Sequence, residues 1–315
     1  MVSYLSRRAI SLVLTLVVAS LVIFFAMEVI PGDPAAFMLG LNASEEAITA
    51  LRAELGLDQG LVARYFAWVS GVFTGDFGVS YTYRVPVGQL IADRLAVSVP
   101  LTLYALILTV LIAFPVGLIA ASRRGTIWDS GIMALTQLGI AVPNFWVGIL
   151  LVAWLALGLG WFPAGGFPGW EAGLWAVIVS LTLPAISLAL FQGSILARVM
   201  RSSVIETLDQ DYIRTARAKG LSQRESVLGH GLRNAMIPVM TILGLQFSFL
   251  LAGAIIIENV FFLPGLGRLI FQAITQRDLI VVESAVMLLV AAVVIVNFIV
   301  DVAYALIDPR LRRQA

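Results

Sequence analysis

The chain has 315 residues, of which 60% are hydrophobic and 12% are charged. Soluble domains carry about 25% charged residues, so the composition excludes an ordinary soluble globule and predicts an integral membrane protein with several spans. The 20 Lys and Arg nearly balance the 19 Asp and Glu, which leaves no basic excess for binding nucleic acid. Cysteine is absent and histidine occurs once, which excludes disulfides and Cys-ligated metals and leaves almost no histidine-based metal chemistry.

Six apolar stretches are long enough to cross the roughly 30 Å hydrocarbon core of a bilayer as helices. They lie near residues 9–30, 99–121, 131–158, 174–197, 236–257 and 284–307. The predicted fold class is an all-α polytopic membrane protein with six transmembrane helices, and residues 1–315 form a single transmembrane domain. Pro184 is expected to interrupt the fourth span, because proline lacks a backbone N–H.

Basic residues are unevenly distributed between the two sides of these spans. Fourteen of the 20 Lys and Arg fall in the two terminal tails, the second–third loop and the fourth–fifth loop. Because cytoplasmic segments carry the excess of Lys and Arg, the N and C termini are predicted to be cytoplasmic. Asp301 lies about two turns inside the cytoplasmic end of the sixth span and is expected to pair with a cytoplasmic arginine. Glu258, near the outer end of the fifth span, is expected to be solvated.

The longest outer segment, residues 31–98, is predicted to contain two helices. Ser44 is a good N-cap for the first, two glutamates follow it in the first turn, and Gly56 can end the helix. The second helix is predicted near residues 61–73, with apolar and aromatic side chains on one face. Two interpretations remain open: a small cap over the membrane helices, or a docking surface for an external partner.

The fourth–fifth loop, residues 198–235, is patterned as two short helices. The first is expected to start at Asp209 or Asp211 and to stop at Gly220. The sequence Ser222-Gln-Arg-Glu225 is a capping box that opens the second helix. The pattern fits a rigid lever that passes force between a soluble partner and the membrane helices. It also fits an amphipathic segment that lies on membrane lipid.

The same loop carries a family resemblance. Asp211-Tyr-Ile-Arg-Thr-Ala-Arg-Ala-Lys-Gly-Leu221, followed by His230-Gly-Leu-Arg-Asn-Ala-Met-Ile-Pro238, resembles the coupling loop of the dipeptide/oligopeptide permease family. These proteins are membrane subunits of binding-protein-dependent ABC importers. The broader importer pattern, E-A-A-x3-G-x9-I-x-L-P, is matched only at Ala216, Gly220 and Leu232. The R-T-A-R-A-K-G version is similar to that of the peptide subgroup.

Further motifs agree with this resemblance, which covers the whole chain. They are Ile30-Pro-Gly-Asp-Pro34, Gly75-Asp-Phe-Gly78, Glu258-Asn-Val-Phe-Phe-Leu-Pro-Gly-Leu-Gly267 and Asp308-Pro-Arg310. Their prolines and glycines also have a local explanation, since such residues build tight turns where the chain leaves the bilayer.

The resemblance implies a type I ABC importer permease fold in the bacterial inner membrane. It implies that this subunit forms half of a translocation pathway and that a related permease forms the other half. Two cytosolic ATPases that bind ATP and Mg, an external solute-binding protein and membrane lipid are the further implied partners. Peptides are the commonest substrates of the family, while nickel, glutathione and some sugars occur among relatives.

The resemblance also implies which residues contact the ATPases. They are Tyr212, Arg214, Thr215, Ala216, Arg217, Lys219, Gly220, Leu221, His230 and Leu232. A Walker A loop needs the pattern G-x-x-x-x-G-K-[ST], whereas Lys219, the only lysine, lies between Ala218 and Gly220. The chain is therefore predicted to be a transport subunit without an ATPase motif, a catalytic site, a metal site or a cofactor of its own.

Polar side chains inside the spans are candidates for the translocation pathway, because burying them in a membrane is costly. They are Gln137, Asn144, Gln192, Gln246 and Asn297. The alternative role is hydrogen bonding between helices. Two other protein classes stay open: an ion-coupled secondary transporter, which needs a buried ionisable relay, and a membrane-embedded enzyme. The sequence shows no clear relay and no catalytic constellation.

Overall fold

The computed structural model describes residues 2–29, 32–40, 43–226, 229 and 231–307. In chain order the α-helices are α1 (Val2–Val29), α2 (Pro34–Leu39), α3 (Glu45–Glu54), α4 (Leu61–Thr74), α5 (Val87–Ser122), α6 (Ile127–Ala141), α7 (Asn144–Leu151), α8 (Leu174–Leu208), α9 (Asp211–Ala218), α10 (Gln223–Ser226), α11 (Leu232–Val260), α12 (Leu266–Thr275) and α13 (Leu279–Ile307). Helices α1, α5, α8, α11 and α13 are long and apolar enough to cross a membrane, which confirms five of the predicted spans.

The third predicted span is a bent pair of helices and not a single straight helix. Helices α6 and α7 meet at 97°. Val142, between them, is extended with φ −89° and ψ 125°, because Pro143 disfavours a helical conformation at the preceding residue and donates no hydrogen bond. Helix α7 then continues into a π-helical turn, Val152–Gly158. The prediction for Pro184 was wrong, since α8 runs through this buried proline without a break.

The contacts divide the chain into two compact units. Unit 1 comprises Met1–Val97 with Pro264–Ala315, and unit 2 comprises Ser98–Leu263. In unit 1, α1 packs along α13, and α12 packs against α13. The core of this unit is apolar and includes Val87 and Ile91 at the start of α5, Leu269 on α12, and Val281 on α13. Helix α5 starts at Val87, so the irregular part of the outer segment is shorter than residues 31–98.

Two predicted helices of the outer segment are confirmed. Ser44 accepts a hydrogen bond from the backbone N–H of Ala47 and caps α3. Helix α4 packs on α1, where the ring of Tyr65 lies 5.4 Å from the ring of Phe24 in an edge-to-face arrangement. The hydroxyls of Tyr65 and Ser20 are hydrogen-bonded at 2.9 Å. The outer segment is therefore anchored on the first membrane helix.

Two carboxylates of unit 1 tie distant segments together. Asp278 is fully buried just before α13. It accepts hydrogen bonds from the Ser80 hydroxyl and from the backbone N–H groups of Tyr81 and Thr82, at 2.5, 3.2 and 3.0 Å. Asp301 on α13 pairs with Arg8 on α1, with a nitrogen–oxygen distance of 3.0 Å. The predicted pairing of Asp301 with a basic residue is confirmed, and Arg8 is its partner.

Unit 2 is built around α8. Helices α6, α7 and α11 all pack against it. Small residues allow this close approach: a Cβ at Gly117 of α5 would lie 2.7 Å from Cβ of Met200, and one at Gly139 would lie 2.2 Å from the Ser194 hydroxyl oxygen. Such small residues are typical of helix interfaces in membranes, where van der Waals packing drives association.

Glu258 is not solvated as the sequence suggested. It is 1% exposed in unit 2, and its carboxylate accepts a hydrogen bond from the buried Ser98 hydroxyl at the start of the unit. The bond joins α11 to α5, and it satisfies part of the hydrogen-bonding capacity that a buried carboxylate requires. Glu258 therefore helps to hold two membrane helices together.

Candidate functional site

The predicted coupling segment folds as two short helices after α8. Helix α8 continues to Leu208, so the segment 198–235 begins with three turns of a membrane helix and not with a loop. Gln210 is extended and leads into α9. Gly220 follows with φ +95°, in a region that favours glycine, and ends the helix. The predicted start at Asp211 and stop at Gly220 are both confirmed.

The second short helix is opened by the predicted capping box. The Ser222 hydroxyl accepts the backbone N–H of Glu225 at 3.2 Å, and the Glu225 carboxylate accepts the backbone N–H and the hydroxyl of Ser222 at 2.8 and 2.7 Å. These hydrogen bonds hold the pKa of Glu225 below its ordinary value. Helix α10, Gln223–Ser226, is a single turn.

Helix α9 has one buried side. Ile213 and Ala216 are 1% and 8% exposed. Gly231, just before α11, lies close to this buried side. A Cβ added to Gly231 would be 3.8 Å from Cδ1 of Ile213 and 3.5 Å from the methyl group of Thr207 at the end of α8. The start of α11 and the end of α8 therefore border the buried side of α9. The amide of Asn234 on α11 donates a hydrogen bond to the Tyr212 hydroxyl at 2.9 Å. These contacts fix α9 to the membrane helices.

The other side of α9 is exposed and polar. Its members are Arg214, Thr215, Arg217 and Lys219, Gly220 and Leu221 continue the exposed surface, and the half-exposed Tyr212 lies at its edge. Ala216 lies on the buried side, so its small size serves packing within the chain. Leu232 is half-buried at the first position of α11, and His230 lies outside the described residues. The structure thus places most predicted coupling residues on one exposed surface, which we call the α9 face.

Sequence reasoning missed the ion pair that supports this region. Arg201 on α8 donates two hydrogen bonds to Asp129 on α6, at 2.6 and 2.7 Å. Arg124 also pairs with Asp209 at 3.1 Å, just before α9. The sequence did contain a signal for the Asp129–Arg201 pair. Asp129 lies at the cytoplasmic start of the predicted third span, and Arg201 follows the cytoplasmic end of the predicted fourth span.

Two of the pathway candidates meet in the core of unit 2. Gln192 and Gln246 are 5% and 2% exposed. The amide nitrogen of Gln246 donates to the backbone carbonyl of Gln192 at 2.8 Å. The side-chain oxygens of both glutamines lack a hydrogen-bond partner within the part of the chain that the structure describes. This pair therefore combines an interhelical hydrogen bond with two unused acceptors.

The other three candidates lie apart. Gln137 is exposed on α6 and accepts a hydrogen bond from Arg198. Asn144 begins α7. Its side chain lies close to α11, because a Cβ added to Gly253 would be 3.2 Å from the amide nitrogen of Asn144. Asn297 belongs to unit 1, where it lines a small cavity of about 170 Å³ together with Arg8 and Asp301. The structure does not bring all five residues into one site.

Across residues 2–307, apart from the undescribed positions, no group of three or more His, Asp or Glu side chains is placed to hold a metal ion. Helix α9 presents a polar, exposed face beside the end of α8 and the start of α11.

The chain belongs to the family of binding-protein-dependent transport system inner membrane components. The family model matches residues 113–313, and the N-terminal model of the same family matches residues 1–102. The protein is thus a multi-pass inner-membrane permease of the ABC importer class, and the main expectation from the sequence is confirmed.

Relatives match along nearly the whole length. A provisionally named peptide transport system permease protein of Brucella abortus is 41% identical over 312 residues, covering 99% of both chains. The glutathione transport system permease protein GsiC of Salmonella choleraesuis is 40% identical over 312 residues, again covering 99% of both. An inward-facing structure of the MetNI methionine ABC transporter is similar in fold, with a TM-score of 0.59 at 17% identity, covering 70% of this chain and 97% of that one.

Proposed function

We propose that the chain is the permease subunit of an ATP-driven importer of di- or oligopeptides and forms half of its translocation pathway. The α9 face carries this proposal: exposed basic and hydroxyl side chains stand on a helix whose Ile213 and Ala216 are buried against the membrane helices. A helix fixed on one side and exposed on the other transmits the movement of a bound partner. The full-length similarity to a peptide permease of Brucella abortus supports peptides as the cargo.

The partner on the α9 face is a pair of cytosolic ATPase subunits, which bind ATP and Mg. Three of the exposed side chains, Arg214, Arg217 and Lys219, are cationic, so the complementary surface on the ATPases is acidic. Tyr212, Thr215, Gly220 and Leu221 complete the contact, and His230 and Leu232 border it, while Ala216 supports it from behind. The chain carries no Walker A pattern, so nucleotide hydrolysis takes place on these partners.

The remaining partners in this proposal are supported by the family to which the chain belongs. Six spans form only one wall of a channel, and a second, related permease supplies the other wall in a pseudo-symmetric pair. An external solute-binding protein delivers the cargo to the side that carries α2, α3 and α4. Gln192 and Gln246 have amide oxygens without a hydrogen-bond partner among the described residues, and they line the passage in this proposal.

Glutathione is the second candidate cargo. The observation that favours it is the 40% identity to the glutathione permease of Salmonella choleraesuis. Glutathione is itself a tripeptide, so the two candidates share an amino group, carboxylates and amide bonds. Competition between a labelled dipeptide and glutathione in the same uptake assay decides between them.

The coupling role is tested in proteoliposomes that contain the chain, its partner permease, the ATPases and the binding protein. Arg217→Glu places a negative charge on the α9 face, where like-charge contact with an acidic partner costs several kcal/mol. ATP-driven uptake is expected to fall at least about tenfold, since each 1.4 kcal/mol is a factor of ten. The matched control is Arg7→Glu, an exposed arginine of α1 that lies outside the α9 face, which leaves uptake unchanged. Equal uptake by both variants contradicts the proposal.

A further inference from the structure

A cavity of about 390 Å³ lies within unit 1, on the side of the outer segment. It is an open cavity, and α1, the α3–α4 connection, α4, residues 76–81 and the start of α13 line it. Aromatic side chains contribute much of its wall: Phe24, Trp68, Phe77 and Tyr81. The volume falls within the roughly 300–1,000 Å³ range of sites for small organic ligands.

The ionisable side chains that line the cavity differ in whether they have a partner. Glu283 lines it and is only 8% exposed. Its carboxylate has neither a hydrogen bond nor a salt bridge to any residue that the structure describes. Arg64, the cationic residue of the lining, already pairs with Glu28. Asp76 adds a second carboxylate, which accepts a single hydrogen bond from the Gly78 N–H at 3.0 Å. The lining therefore holds two carboxyl groups, Glu283 and Asp76, and one guanidinium, which already has a partner.

This combination selects an organic cation. A buried carboxylate without a partner is costly, and a cationic ligand would offset that cost. The faces of aromatic rings attract cations, which adds to the attraction of the carboxylate for an ammonium ion. Metal ions fit less well, because calcium and magnesium need about six oxygen ligands and no suitable cluster of acids occurs among the described residues. We propose that the cavity binds a primary ammonium group, with Glu283 as its counter-ion.

Two molecules can bring a primary ammonium group to this place. One is a peptide with a free N-terminus, and this source rests on the proposed function. The other is the ethanolamine headgroup of a lipid, because the cavity wall includes Phe24 of the membrane helix α1. The chemistry recognised is the same in both cases, and the experiment separates the sources.

The first arm uses the full-length chain in nanodiscs of phosphatidylglycerol, a lipid without an amine, and measures the binding of alanyl-alanine by calorimetry. Glu283→Gln is expected to weaken binding about tenfold to a hundredfold, as for the loss of a charged hydrogen bond. N-acetyl-alanyl-alanine has no ammonium group. It is expected to bind the unaltered chain as weakly as alanyl-alanine binds the Glu283→Gln variant. Glu283→Asp keeps the charge and retains part of the affinity. Glu54→Gln, at an exposed carboxylate of the outer segment, is the control and leaves binding unchanged.

The second arm measures which lipid stays bound to the chain after extraction from mixed phosphatidylethanolamine and phosphatidylglycerol membranes, by native mass spectrometry. A lipid source predicts retention of phosphatidylethanolamine by the unaltered chain and its loss from Glu283→Gln. Dependence on Glu283 in either arm supports the site and names the source. If Glu283→Gln changes neither dipeptide binding nor lipid retention while its melting temperature matches that of Glu54→Gln, the proposal is overturned. If the Glu283→Gln variant has no effect in either arm but still supports ATP-driven uptake, the proposed transport function is retained and only the ammonium site is rejected.

Discussion

Arg201 and Asp129 form a bidentate ion pair between α8 and α6, with Nε 2.6 Å from Oδ1 and Nη2 2.7 Å from Oδ2. Asp129 accepts a further hydrogen bond from the Gly125 N–H at 3.0 Å, and its side chain is 5% exposed. A bidentate contact fixes orientation as well as distance. The first turn of α6 is therefore held against α8 about two turns before α8 ends and α9 begins.

Replacing Asp129 is expected to destabilise this end of unit 2. Asp129→Asn leaves the guanidinium of Arg201, which is 25% exposed, without its charged partner. The expected loss is about 1.5–3 kcal/mol in the free energy of unfolding, at the low end for breaking a buried pair because Arg201 is partly solvated. Thermal unfolding in detergent measures it. The control, Asp211→Asn, alters a carboxylate that is 95% exposed, and equal melting temperatures for the two variants count against the argument.

Local patterns in the sequence predicted local structure well. The caps at Ser44 and Ser222 depend on residues three positions away, so the sequence alone contains both partners. The pairing of Asp129 with Arg201 and that of Ser98 with Glu258 join residues 72 and 160 positions apart. Such pairs depend on how the helices pack, and single-residue patterns do not specify that packing.

The prolines illustrate the same limit. Pro143 ends α6 and bends the third span, whereas Pro184 lies within a continuous α8. Both remove one backbone donor, and only the surroundings differ: α8 is packed on several sides by α6, α7 and α11, which keep it helical. In the candidate site, the sequence placed α9 and its ends correctly but did not show that Ala216 faces inward. That orientation depends on how α9 packs beside the end of α8 and the start of α11.

The turn at Gly220 is expected to be sensitive to substitution. Its φ of +95° is strained for other residues, although a Cβ there would meet no atom within 4 Å. Gly220→Val therefore acts through backbone strain of about 1–3 kcal/mol and shifts α10 relative to α9. ATP-driven uptake is expected to fall, and Gly220→Asn to be milder, because asparagine tolerates positive φ better. Uptake measured in proteoliposomes checks the order, and an equal loss for both variants would contradict strain as the cause.

Tyr81 gives the cavity of unit 1 a measurable pH response. Burial and, next, the Glu283 carboxylate raise the pKa of Tyr81 to about 12, from an ordinary value of 10.0. Because the folded state favours the neutral phenol, this contribution to stability is fully present below about pH 10 and is lost as the pH rises through about 12. The difference in absorbance at 295 nm between the unaltered chain and Tyr81→Phe is expected to titrate near pH 12. A midpoint near pH 10 refutes the burial of this hydroxyl.

The amides of Gln192 and Gln246 distinguish a pathway role from a structural one. Each has a side-chain oxygen without a hydrogen-bond partner in the described part of the chain. Gln192→Met keeps the length of the side chain and removes one such acceptor, so the melting temperature is expected to stay the same or to rise. If the acceptor serves passing cargo, ATP-driven uptake falls about tenfold, as for one lost hydrogen bond of roughly 1.4 kcal/mol. Gln89→Met, at an exposed position near the start of α5, is the control for the change in chemistry. Unchanged uptake together with a lower melting temperature assigns the amides to helix packing alone.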